Sequence, residues 1–74
     1  MDLTNRIIIN PAILAGKPII KGTRIPVDII LEQLGQGWSL NDILEGYPHL
    51  DRDDVMACIQ YAHKLVASEQ VYPA

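Results

Sequence analysis

With 74 residues, a single cysteine and a formal net charge of −3, the chain leaves no room for several domains, an internal disulfide or a general polyanion binder. It is nonetheless 49% hydrophobic, generous for so short a sequence, which implies apolar surface left over for a partner or a second copy. No apolar run approaches the ~20 residues of a membrane span. The first residues, Met1 to Arg6, lack the charged-then-apolar order of a signal peptide, so the expected setting is a reducing cytoplasm.

Arg6-Ile7-Ile8-Ile9-Asn10 is β-branched and ends at Asn-Pro, the pattern of a strand and its stop. Pro18-Ile19-Ile20-Lys21 is a second short run, closed by Gly22, with Pro11 to Lys17 as the loop between. Together they predict a hairpin segment over 6–24. Pro26 suits the first turn of a helix, and Val27, Ile30, Leu31 and Leu34 follow at helical spacing until Gly35 and Gly37 end it.

Ser39 reads as an N-cap with Asp42 three residues on, a variant of the capping box. Trp38 and Ile43 are spaced as its hydrophobic staple. Gly46 and Pro48 stop this short helix. The pattern recurs with Asp51, Asp54, Leu50 and Val55, opening a third helix from Arg52 to about Ser68. Its apolar face is expected at Val55, Ile59, Ala62 and Val66, and Asp53 and Asp54 suit the positive end of its dipole. The tail, 69–74, is expected to fray unless bound. The predicted fold is one mainly α domain. A short N-terminal β-hairpin precedes a trihelical, helix-turn-helix-like (winged-helix or homeodomain-like) core over 26–68.

Catalytic and ligand motifs fail on spacing. Gly16-Lys17 is followed by Pro18 and lacks a glycine at 11, so it is no phosphate loop. His49, His63 and Cys58 do not form a zinc set, and the position of Asp51, Asp53 and Asp54 at a helix start accounts for them without a metal. No nucleophile–base pair is visible. The sequence argues against an enzyme and calls for no cofactor.

Charge is unevenly placed. Residues 1–31 carry four cations against two anions, whereas residues 32–74 carry two against seven, which predicts a basic N-terminal end.

Gly16-Lys17-Pro18, Gly22-Thr23-Arg24-Ile25-Pro26-Val27, Gly37-Trp38-Ser39, Asp42-Ile43-Leu44, Tyr47-Pro48-x-Leu50, Asp54-Val55-x-Ala57 and Tyr61-Ala62 closely resemble a prokaryotic family. It is catalogued as domain of unknown function number four hundred and thirty-three. The resemblance covers about Arg6 to Ala62. It implies a helix-turn-helix-like fold and an antitoxin of a type II toxin–antitoxin pair. Such a protein would silence a PIN-like ribonuclease by binding it, and would also be able to bind its own promoter.

On the residues themselves, a recognition helix opening with Asp51-Arg52-Asp53-Asp54 would set carboxylates against phosphates. Only Arg52 is placed for a guanine contact, with Gln60, His63 and Lys64 further along. Arg6, Lys17, Lys21 and Arg24, with Thr23 in the same motif, are the better contacts for operator DNA. Against a nuclease's clustered carboxylates, Arg24 with Lys21 is the expected pair. A stand-alone DNA-binding regulator is the alternative function. A homodimer would double the cations, and a purely structural dimer module pairing its N-terminal strands is a third reading.

Overall fold

The computed structural model describes residues 1–68; the tail expected to fray, 69–74, lies outside them. A 3₁₀ turn at Thr4–Arg6 leads into β1 (Ile7–Ile9), and a second at Leu14–Gly16 precedes β2 (Pro18–Ile20). Three helices follow: α1 (Val27–Gly35), α2 (Leu40–Gly46) and α3 (Arg52–Ser68). A two-stranded antiparallel hairpin ahead of three helices is thus the architecture.

The register pairs Ile7 with Ile20, Ile8 with Ile19 and Ile9 with Pro18. Pro18, which has no N–H to give, falls at the first position of its strand, where proline is tolerated. Three-residue strands are not stable alone. Here Ile19 and Ile20 are both fully buried, and successive strand residues face opposite sides, so β2 is covered on both faces. The loop between the strands is tighter than expected. Leu14, Ala15 and Gly16 all have positive φ, and for the two non-glycine residues that conformation costs roughly 1–2 kcal/mol each.

α1 begins one residue later than expected. Pro26 is extended, with φ −71° and ψ 147°, and stands as the residue before the first helical turn. Its end is a Schellman motif. The Trp38 amide donates to the Gln33 carbonyl at 3.0 Å and the Gly37 amide to Leu34 at 3.1 Å. Gly37 supplies the left-handed turn, with φ +98°, while Gly35 is the last helical residue.

Both expected capping boxes form. The Asp42 amide donates to Ser39 Oγ at 3.1 Å, and the Ser39 amide to Asp42 Oδ2 at 2.8 Å. At α3 the Asp54 amide donates to Asp51 Oδ1 at 2.9 Å, and the Asp51 amide to Asp54 Oδ2 at 3.1 Å. The staples differ. Leu50 and Val55 both join the core, whereas Trp38 remains 38% exposed while Ile43 is enclosed. A Cβ on Gly46 would lie 3.6 Å from the indole Cζ3, so the ring sits over that bare backbone instead.

The core joins Ile20, Val27, Ile30, Ile43, Leu50, Val55 and Cys58, with Leu31, Leu34, Leu40 and Tyr47 packed around it. Each full burial of such an aliphatic side chain contributes about 1.5–3 kcal/mol.

The expected apolar face of α3 needs correction. Val55, Ala57 and Cys58 are buried, but Ile59 is 41% and Val66 63% exposed. At 1.5 Å per residue, α3 spans roughly 26 Å against about 14 Å for α1 and 11 Å for α2. The shorter helices cover only its first half, along Val55, Cys58 and Tyr61, and residues 63–68 are all exposed. Among the described residues no helix is long and apolar enough to cross a membrane.

Candidate partner-binding surface

Of the nine residues singled out from sequence, His63 lies exposed on α3 and the other eight separate into three groups. Arg6, Gln60 and Lys64 are engaged within the molecule. Arg6 closes the 3₁₀ turn ahead of β1, which aims its guanidinium at the start of α3. Its Nη1 lies 3.1 Å from Asp51 Oδ1 and 3.0 Å from Asp54 Oδ1, and Nη2 lies 3.7 Å from Asp53 Oδ2. Asp54 first, and then Asp51, raise the arginine's pKa further. The hydrogen bond from the Asp54 amide, ahead of Arg6 itself, holds Asp51 below the usual carboxylate range.

Gln60 spends both ends of its amide on the N-terminal segment. Its Oε1 accepts from the Leu3 amide at 2.7 Å and its Nε2 donates to the Met1 carbonyl at 2.9 Å. One turn on, Lys64 Nζ reaches Asp2 Oδ2 at 2.6 Å and Thr4 Oγ1 at 3.1 Å. Bonds from Lys64 and then Thr4 push the Asp2 carboxyl well below its ordinary value. These three side chains strap residues 1–6 along α3.

Lys17, Thr23 and Arg52 form the second group. Lys17 pairs with Asp28 at 3.3 Å and Arg52 makes a long 3.9 Å pair with Asp53, all on the surface, where such pairs are worth little. Thr23 builds the turn between β2 and α1. Its Oγ1 donates to the Ile20 carbonyl at 2.7 Å and accepts from the Ile25 amide at 3.0 Å. Gly22 takes φ +81° in the same turn, a conformation that a side chain would strain.

Lys21 and Arg24 are the third group. They project from that turn, exposed, and no carboxylate among the described residues lies within 4 Å of either. A turn fixed by Thr23 therefore presents two exposed cations that have no carboxylate partner among the described residues.

Two surfaces were not expected from sequence. A shallow concavity is lined by Gln36, Gly37, Trp38, Asp42, Glu45 and Gly46. A readable signal for it was the stretch 25–51, which contains no lysine or arginine. An apolar groove of about 230 Å³ runs between Pro18, Val27, Leu31, Tyr61, Ala62 and Leu65, with the Lys17–Asp28 pair at its rim.

Metal and thiol chemistry have little to build on here. No three His, Cys, Asp or Glu side chains converge on a metal position among the described residues. Burial, and then Asp54, push the Cys58 thiol up to about 12, so it behaves as a core side chain.

Comparison with known proteins agrees with the fold. A crystal structure of a DUF433 member from Anabaena variabilis superposes with a TM-score of 0.79 at 32% identity, over 88% of this chain and 64% of that one. The uncharacterized protein y4eO of Sinorhizobium fredii is 36% identical over 53 residues, covering 72% of this chain. The match takes in 24% of that relative, so the chain spans about a quarter of its length. Residues 7–62 match the family described as "Protein of unknown function (DUF433)", and the chain belongs to that family.

Proposed function

We propose that the chain is the antitoxin of a type II toxin–antitoxin pair, neutralising a PIN-like ribonuclease by protein–protein binding in the cytoplasm. The observation that carries this reading is the Lys21–Arg24 turn. Its two cations have no carboxylate partner among the described residues, and Thr23 fixes the turn that carries them. Arginine suits bidentate pairing with carboxylates, and a metal-dependent nuclease gathers carboxylates at its centre. Seated there, Arg24 and Lys21 would block metal or RNA entry without any catalysis by this chain. A homodimer formed through a face away from this turn would present it twice.

Operator binding through α3 has less support. Asp51 stands just before its first turn and Asp53 and Asp54 lie in it, and Arg6 is drawn onto all three rather than toward a phosphate. Promoter binding, if it contributes, would use the hairpin end, as would the stand-alone regulator.

The test is whether the gene beside this one encodes a PIN-like nuclease, and whether this chain inhibits that nuclease. The Lys21→Ala/Arg24→Ala protein should inhibit about tenfold less well or worse, while Arg52→Ala retains inhibition. Full inhibition by the double variant would exclude the proposed contact. Tight, salt-sensitive promoter binding by this protein alone would favour the regulator.

A further inference from the structure

Ion pairing within the chain leaves a remainder with a definite arrangement. Arg6, Lys17, Arg52 and Lys64 each have a carboxylate within 4 Å. Among the described residues Lys21 and Arg24 have none, and Glu32, Asp42 and Glu45 have no cation. The unmatched cations stand just before α1. The unmatched carboxylates stand toward the end of α1 and on α2.

Trp38 lies among those carboxylates. Its half-exposed ring, held beside Gly46, shares a concavity of about 520 Å³ with Asp42 and Glu45. Glu32 adjoins it through Gln36, whose Nε2 donates to Glu32 Oε1 at 3.3 Å. The Ser39 amide fixes the Asp42 carboxylate at 2.8 Å. An exposed indole beside carboxylates, one of them held by a backbone amide, is a receptor for a guanidinium or ammonium group: the ring face attracts the cation and the carboxylates pair with it.

The chain therefore carries both halves of a complementary contact, but at opposite ends of a helix about 14 Å long. An ion pair needs about 4 Å, so the two halves are set to meet between molecules.

We infer that the Trp38 patch is the docking site for the Lys21–Arg24 turn of a second copy of this chain. The inference does not depend on the nuclease reading. If both hold, self-association covers the same two cations that the partner needs, and the two events compete.

Sedimentation equilibrium on the intact protein tests it, with Trp38 fluorescence as a second readout. The wild type should self-associate at low salt and dissociate as salt screens the contact, the Debye length falling from about 10 Å at 0.1 M to about 3 Å at 1 M. Lys21→Glu/Arg24→Glu and Glu32→Lys/Glu45→Lys should each associate at least about tenfold more weakly. Asp42 is left intact because it caps α2, and circular dichroism checks that both variants remain helical. An equimolar mixture of the two variants should associate again, because each reversed half then meets its complement. A monomeric wild type, a mixture that stays monomeric, or variants that associate as strongly as the wild type would each overturn the inference.

Discussion

Arg6 and Arg24 carry the same charge on the same N-terminal segment, yet the fold uses them in opposite ways. Arg6 faces Asp51, Asp53 and Asp54 and joins the strap that Gln60 and Lys64 complete along α3. Arg24 stands on the β2–α1 turn with no carboxylate near it among the described residues. The difference shows that a basic N-terminal end, read from charge counts, is really two regions. One spends its charges on holding the N-terminus, and the other leaves Lys21 and Arg24 without a carboxylate partner among the described residues. A cation already facing three carboxylates gains little from another anion, whereas an unpaired one on a fixed turn keeps its full attraction.

Substitutions can break or sharpen this contrast. The core sets the upper end of the scale. Ile30, fully buried among Val27, Ile43 and Val55, should cost about 2–5 kcal/mol as Ile30→Ala, read from urea unfolding. That is a large fraction of the roughly 5–15 kcal/mol typical of a domain. Next comes the strap's anchor. Asp54→Ala removes one arm of the α3 capping box and one partner of Arg6, and should destabilise by about 0.5–2 kcal/mol. Gln60→Ala loses two hydrogen bonds to residues 1–3 and should cost about 1 kcal/mol. It should also speed amide exchange at Leu3, and unchanged exchange there would argue that the strap is not a working contact.

Acid should loosen the strap and leave the turn unaffected. The carboxyls of Asp2, Asp42 and Asp51 all titrate below their ordinary value in the folded protein. In the unfolded chain they bind protons near pH 4. Their contribution is therefore fully present above about pH 4 and lost as pH falls through the lower folded values. Lys64→Met removes the main cause of the Asp2 shift and should flatten the fall in unfolding midpoint between pH 5 and pH 2.5. An unchanged slope would show that Lys64 does not set the titration of Asp2. The smallest effect belongs to the turn. Arg24→Ala should leave stability within about 0.5 kcal/mol of wild type, and a larger loss would mean that Arg24 has a structural role.

Much of the fold was readable because its signals are local. Two N-caps three residues ahead of an aspartate produced two reciprocal capping boxes, and the β-branched runs produced the strands. Gly37 ended α1 by taking the left-handed conformation that its helix end requires. What escaped was either non-local or hidden by periodicity. Val55, Ile59, Ala62 and Val66 form a proper helical stripe, but burial follows Val55, Cys58 and Tyr61, because neighbouring helices reach only the first half of α3. The left-handed backbone of Leu14 and Ala15 has no sequence signature, since neither residue prefers it. Trp38 looked like a staple by spacing and proved to be a surface ring over Gly46.

The sequence by itself determined the order of elements, their caps and the concentration of cations ahead of α1, because each depends on residues within a few positions of one another. Only the tertiary structure decided which cations are spent. For Arg6 and Lys64 that depends on distances between residues 45 to 62 positions apart in the chain, Arg6 to Asp51 and Asp2 to Lys64. A sequence records which charges exist, and ion pairing depends on which of them the packed core brings within 4 Å.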